Sequence, residues 1–334
     1  MRIDLTGHAT TGRVAFLVVA VLALAVLAVA SVSVGAQAVP PEEIWRVFTG
    51  GAGAEAESIV RDIRGPRTVL ACCAGAALAT AGTLIQTMTR NPLAEPGVLG
   101  VTAGAAFAIT LGTVLGVTGS QPSRMALAVG GAALASVAVY TVGRTFPLRL
   151  VLAGFALTAV LAGLTLALRL LFPDALDEYR YWHVGSLAGR EQTPLALPLA
   201  VIVIALAGAV LVTRPLGGLM LGDTVAHALG ARVRRVRIAV LVLITLLTGA
   251  ATAVAGPIIF VGLLVPHLAR RPAAGSVAWL MAYTMVLGAV LLVAADIGSR
   301  VLLPTGELPV AVVTAFLGGP ALIWIVRRHG TVAL

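Results

Sequence analysis

Side chains able to do chemistry are few in this 334-residue chain, and they are badly placed for it. Five histidines are scattered without paired metal-ligand spacing, no glycine-rich phosphate loop ends in Lys-Ser/Thr, and no nucleophile motif has an evident base. The two cysteines, Cys72 and Cys73, are adjacent in an apolar run and read as small buried side chains rather than reactive thiols. Carboxylates in the middle of apolar stretches, which an ion-coupled carrier needs, are scarce. Asp296 is the nearest candidate, and it lies close to the end of its stretch. No catalytic residue, bound cofactor or metal is expected. Uphill movement of a solute through such a chain then draws its energy from another subunit.

Chemically distinctive residues gather in a few short segments. In "LGDTVAHALGARVRRVR" (221–237), Asp223 can cap a helix, Val225, Ala226 and Leu229 fall on one face, and Gly230 can close the end in a left-handed conformation. Two turns of helix are too short to be stable alone, so this piece needs something to pack against. The four arginines after it offer the alternative of a turn resting on lipid head groups. "TRNPLAEPGVLG" (89–100) and "AGPIIFVGLLVPHLAR" (255–270) cluster Pro and Gly at membrane depth, where irregular backbone must be buried in protein or line a cavity. "RDIRGPR" and "ADIGSR" place Arg61, Arg64, Arg67 and Arg300 against the charge pattern of the rest of the chain. Exposed there, they are either simply solvated or a docking surface for carboxylates of a partner.

The elements that must position these segments are membrane helices. With 59% hydrophobic and 11% charged residues, most of the chain belongs in lipid. About 20 apolar residues cross a bilayer. On that rule spans fall near 14–36, 66–87, 97–117, 125–143, 149–171, 194–212, 237–255, 258–270, 275–296 and 308–326, the eighth being short. The first resembles a secretory signal, but its apolar core is long and many spans follow, so it reads as a retained span. With both termini inside, fourteen arginines and three carboxylates lie inside against nine and eleven outside, an asymmetry of +11 against −2. That is the pattern of a multi-pass protein obeying the positive-inside rule, and it reads the arginines as topology signals before a nucleic-acid patch. Small residues four apart, Gly100 with Gly104 and Gly112 with Gly116, predict close helix packing. The echo of "GAALATAG" (75–82) in "GAATAVAG" (249–256) fits inverted repeats or chance in an Ala-rich chain. The fold class is therefore an all-α membrane protein, a polytopic bundle of about ten transmembrane helices.

In chain order, "RGPR", "GAALATAGTLIQTMTRNPLAEPGVLGVTAG", "PLRLVLAG", "LGDTVAHALG", "VAGPIIFVGLLVPHLAR" and "ELPVAVVTAFLGGP" resemble the FecCD-type permeases of type II ABC importers, which import ferric siderophores, haem and cobalamin. The resemblance covers nearly the whole chain and implies one transmembrane permease domain over 1–334 with the type II importer permease fold. It implies a second permease subunit, a copy or a paralogue, and two cytoplasmic ATPases that bind ATP and Mg. It also implies an external or periplasmic solute-binding protein, with the permease in the bacterial inner membrane and no nucleic-acid partner. By position, Leu221, Gly222, Asp223, Val225, Ala226, Leu229 and Gly230 match the coupling helix that enters a cleft of the ATPase. Arg64, Arg67 and Arg300 match arginines that engage glutamates of the binding protein. Asn91, Leu93 and Leu148 match the neighbourhood of the inner gate. Two departures stand out: "RPAAGSVAW" (271–279) lacks a Gly-Pro-Asp-His-Arg-like turn, and Gly65 replaces a larger apolar residue. "PLRLVLAG" resembles siderophore members more than cobalamin ones, so a ferric siderophore is the expected cargo, with haem or cobalamin the alternatives. A self-sufficient ion-coupled carrier is the contrasting class.

Overall fold

Apolar runs of 20 residues with no strand-like alternation fold as helices, since only internally hydrogen-bonded backbone is tolerated in lipid. The computed structural model describes residues 5–35, 39–143, 147–174, 176, 184–190, 193–228, 230–303 and 306–329. Its principal helices are α1 (Leu5–Ser33), α2 (Pro41–Thr49), α3 (Gly65–Thr89), α4 (Val101–Val114), α5 (Gln121–Gly143), α6 (Pro147–Leu171) and α7 (Ala196–Leu211). They continue with α8 (Thr213–Met220), α9 (Asp223–Ala228), α10 (Val233–Ala255), α11 (Val261–Ala273), α12 (Val277–Val301) and α13 (Val310–His329).

Each expected span falls on one of these helices, but not all have the expected length. Six, namely α1, α3, α5, α6, α10 and α12, are long and apolar enough to cross a bilayer, and α7 with α8 makes a seventh, bent by 53°. The expected third span is cut to Val101–Val114, because Pro96–Leu99 forms a 3-10 turn and Gly100 turns left-handed at φ +70°. α2 was hidden in the sequence by its charges. Ile44 and Val47, three apart, turn inward onto Val39 and Val60, while Glu42 and Glu43 sit in its first turn.

The bundle is built around α3. It packs against α12, α10 and α11, and nearly every side chain from 70 to 88 is buried. Cys72 and Cys73 are half-buried, unpaired thiols on it. Its Ala and Gly residues let neighbouring backbones come into contact. A Cβ on Gly82 would sit 1.8 Å from the Gly262 carbonyl oxygen, and one on Gly75 would sit 2.2 Å from that of Gly288. Of the expected glycine pairs three members pack: Gly104 lies against Gly131 of α5, Gly112 against Leu127, and Gly100 more loosely against Ala135 and Leu157. Gly100 is at the same time a left-handed turn residue, and Gly116 is one in open space.

One polar side chain on α3 has a specific task. Pro266 lies inside α11 and has no N–H, so the carbonyl four residues earlier, that of Gly262, loses its intrahelical donor. Gln86, fully buried on α3, donates its Nε2 to that oxygen at 3.2 Å and accepts from Arg270 Nη2 at 2.7 Å. The amide thereby repairs a helix defect in a place water does not reach. Gln86→Leu should therefore lower stability in detergent by about 1–3 kcal/mol, the cost of an unsatisfied buried polar group. In a Pro266→Ala background the new N–H serves the Gly262 carbonyl, so the Gln86→Leu penalty should shrink, leaving the lost Arg270 contact. A thermal-unfolding double-mutant cycle reads this directly. Additive effects within about 0.5 kcal/mol contradict the assignment.

Candidate functional site

Three places carry the residues singled out above: one end of the bundle around α9, the opposite end around Arg67, and the broken segments between.

α9 is a six-residue helix, shorter than the expected stretch from 221 to 230, and it is preceded by α8, which the sequence did not announce. The helix begins at Asp223 rather than after it. The Gly222 carbonyl accepts the first helical bond, from Ala226 N–H at 2.9 Å, so Gly222 at φ +99° holds the cap position expected of Asp223. Gly230 closes the far end at φ +80° as expected. Its N–H bonds the His227 carbonyl and the Ala231 N–H bonds the Ala226 carbonyl, both at 2.9 Å, which is the Schellman arrangement. The expected common face divides: Ala226 is completely buried, whereas Val225 is 44% and Leu221 63% exposed. Leu229 lies outside the described residues. α9 is thus pinned to the bundle by Ala226 and offers Val225 outward, beside Leu221 in the turn between α8 and α9. Arg232, Arg234 and Arg235 are exposed beside it.

At the other end, the arginines expected at an exposed surface are buried. Arg67 on α3 grips Asp296 on α12 through Nε at 3.0 Å and Nη2 at 2.8 Å, and its Nη2 also meets Glu307 Oε2 at 2.8 Å. Arg300, one turn along α12, pairs with the other Asp296 oxygen. Arg300 also donates to the Ser31 and Val34 carbonyls at 2.7 and 3.2 Å, and Arg64 donates to those of Val32 and Ser33 at 3.0 and 2.9 Å. These carbonyls belong to the last turn of α1 and the residue after it, Val34, where no further helical turn supplies donors. The reason for the difference from the sequence expectation is physical: a helix ending among its neighbours needs cations at its C-terminus more than the surface needs charge. Arg61, in contrast, is exposed and pairs with Glu57 at 3.3 Å. Asp296 is completely buried between two guanidinium groups, which leaves it no vacancy for a transported ion.

Gly65 finds its explanation here too. Ile59–Arg64 is a π-turn, closed by the Gly65 N–H on the Val60 carbonyl, and a Cβ at 65 would stand 2.8 Å from that oxygen. The wide turn delivers Arg64 and Arg67 to α1 and α12.

Between the two ends, α3 stops at Arg90 (φ +52°), and Asn91 Oδ1 accepts from the Leu93 N–H at 3.0 Å to fix the turn before Pro96. Asn91 is half-buried and Leu93 exposed; Leu148 lies in the first turn of α6, its side chain outside the described set. The segments 92–100 and 256–261 meet at mid-bundle, where a cavity of about 480 Å³ is lined in part by Glu95, Thr102, Thr158, Thr248, Thr252 and Arg169. Among the described residues no cluster of His, Cys, Asp and Glu is able to hold a metal.

Fold and site together define a helical membrane permease, in which the polar side chains described above tie helices together. The chain belongs to the FecCD transport family, whose sequence model matches residues 22–328. It is 46% identical over 299 residues to the ferric enterobactin transport system permease protein FepD of Escherichia coli, covering 88% of this chain and 89% of that protein. It is 39% identical over 297 residues to the vitamin B12 import system permease protein BtuC of Vibrio cholerae, covering 86% and 88%. Among solved structures it is similar to a metal-chelate type ABC transporter in an inward-facing conformation, with a TM-score of 0.83 and 26% identity over 94% of this chain and 99% of that one. Its class is therefore that of an ABC importer permease, and its relatives carry more than one kind of chelate.

Asp296 is the keystone of the clamp between α3 and α12, and its removal strands two buried guanidinium groups. Asp296→Asn should cost about 3 kcal/mol or more of stability. Glu307→Gln, whose side chain is 33% exposed, should cost about 1 kcal/mol or less. Thermal unfolding of the two variants in detergent checks the order, and equal losses contradict it.

Proposed function

We propose that this chain is one permease subunit of an ATP-driven importer that brings a ferric siderophore into a bacterial cell. It sits in the inner membrane with both termini cytoplasmic, as the distribution of arginines supports. The observation that carries the energy-coupling part is the geometry of α9. A helix this short persists only against something, and Ala226 supplies the inner contact while Leu221 and Val225 remain uncovered. These two are the side chains that enter the ATPase cleft, with Gly222 and Gly230 holding the helix ends and Asp223 in its first turn. ATP-driven closure of the ATPase pair pushes on α9 and, through α8 and α10, on the bundle. A second permease subunit completes the pathway. Leu93, exposed beside the Asn91 turn, with Leu148 at the start of α6, narrows it at the inner end. The substrate reading is supported by the 46% identity to a ferric enterobactin permease.

At the outer face the solute-binding protein meets a surface shaped by Arg64, Arg67 and Arg300. They act there by holding the ends of α1, α3 and α12 together, since little of each is exposed.

The test is co-purification with the ABC ATPase from the same genome. Wild type should retain the ATPase on an affinity column, and Leu221→Asp/Val225→Asp should retain at least about tenfold less, because it places carboxylates into a desolvated contact. The variant should keep its thermal midpoint, both positions being exposed. Retention equal to wild type would show that α9 is not the coupling element.

A further inference from the structure

A second, larger cavity, of about 790 Å³, lies in the groove between α5 and α10. The two helices touch at Gly249, where an added Cβ would be 3.3 Å from Val129 Cα. Toward the end where α5 finishes and α10 begins, the groove is open. Its floor is a hydroxyl relay in which Thr245 donates to Ser136 at 3.3 Å and Ser136 donates to the Ala132 carbonyl at 2.8 Å, so the floor asks for no polar ligand. The walls are apolar and uncovered: Val137 is 60%, Ile238 45% and Val242 50% exposed. At the mouth the character changes to Arg234, Arg237, His227 and Tyr140, and none of the described lining residues is a carboxylate. From Arg234 to Thr245 the groove runs roughly 16 Å at 1.5 Å rise per residue, a length suited to an acyl chain.

We propose that this groove is a binding site for an anionic phospholipid, its phosphate held by Arg234 and Arg237 and one acyl chain lying along Val137, Ile238 and Val242. Two features select this occupant. The apolar walls open sideways to the hydrocarbon, where a free inorganic anion gains nothing. The basic mouth sits at the membrane surface, where a basic pocket between helices attracts anionic head groups. The lipid belongs to the cytoplasmic leaflet in the orientation given under Proposed function, and only that detail rests on it. His227 and Val233 line the same groove, so the bound lipid touches α9 and the start of α10. It thereby steadies the helix that carries Val225 and the turn before it that carries Leu221.

The experiment is native mass spectrometry of the full-length chain in detergent, offered phosphatidylglycerol and phosphatidylcholine with identical acyl chains in equal amounts. Wild type should retain phosphatidylglycerol roughly tenfold better, as two basic side chains near a head group predict. Arg234→Gln/Arg237→Gln should abolish the preference, while Arg232→Gln/Arg235→Gln, on the same turn but outside the groove, should keep it. Ala133→Phe, which fills the groove without touching charge, should reduce both lipids, and it decides the matter by itself if the arginine variant does not fold. Equal retention of both lipids by wild type, equal effects of the two arginine pairs, or displacement of the lipid by millimolar inorganic phosphate would overturn the assignment. Binding is read on the permease alone. A chain that selects phosphatidylglycerol yet never associates with the ATPase would leave this site standing and sink the importer reading instead.

Discussion

In hydrocarbon every backbone carbonyl must find a donor within the protein, and this single requirement accounts for the longest polar side chains buried around α3. Gln86 supplies the donor that Pro266 cannot give to Gly262. Arg64 and Arg300 supply donors to the last turn of α1. Asp296 then exists to hold Arg67 and Arg300, binding α3 to α12 on the way. Burying these charges is tolerable only because they come as a matched set.

That use of polar groups has a functional consequence. A carboxylate clasped by two guanidinium groups is not a site for a coupling ion, and an amide engaged by a carbonyl and an arginine is not a catalyst. With Asp296 and Gln86 so engaged, neither is available to couple an ion, which supports the proposal that the driving force comes from a partner subunit. The α8–α9 corner is where such a force can be applied: it is anchored by Ala226, exposed at Leu221 and Val225, and joined through a left-handed glycine to α10. α10 packs on α3, α5 and α7, so displacement of that corner reaches the center of the bundle through direct contact.

Much of this was legible in the residues themselves. Apolar run length located a helix for each of the ten spans, and the left-handed Gly230 could be read directly. The family motifs, long and in order, carried the class. What failed did so for definable reasons. Run length does not say where a helix stops when Pro and Gly cluster at its end, so α4 came out too long. Charge at a span end looks the same whether it faces water or a neighbouring helix terminus, so Arg64, Arg67 and Arg300 were expected to be exposed and are buried. Gln86 was visible as the lone amide in "GTLIQTMT", but its meaning needed the position of Pro266, 180 residues away. Asp223 was expected to cap α9, yet Gly222 does, because a turn that needs positive φ admits glycine more readily than an N-cap acid.

This permease is proposed to move its cargo with energy from a partner ATPase and none of its own. The most direct measurement is uptake of a radiolabelled ferric catecholate chelate into sealed vesicles that hold the permease, with the ATPase and the solute-binding protein supplied. Accumulation that requires ATP, the ATPase and the binding protein, and that survives collapse of proton and sodium gradients, is the predicted result. Accumulation by the permease alone on an ion gradient, with no dependence on ATP, would contradict it.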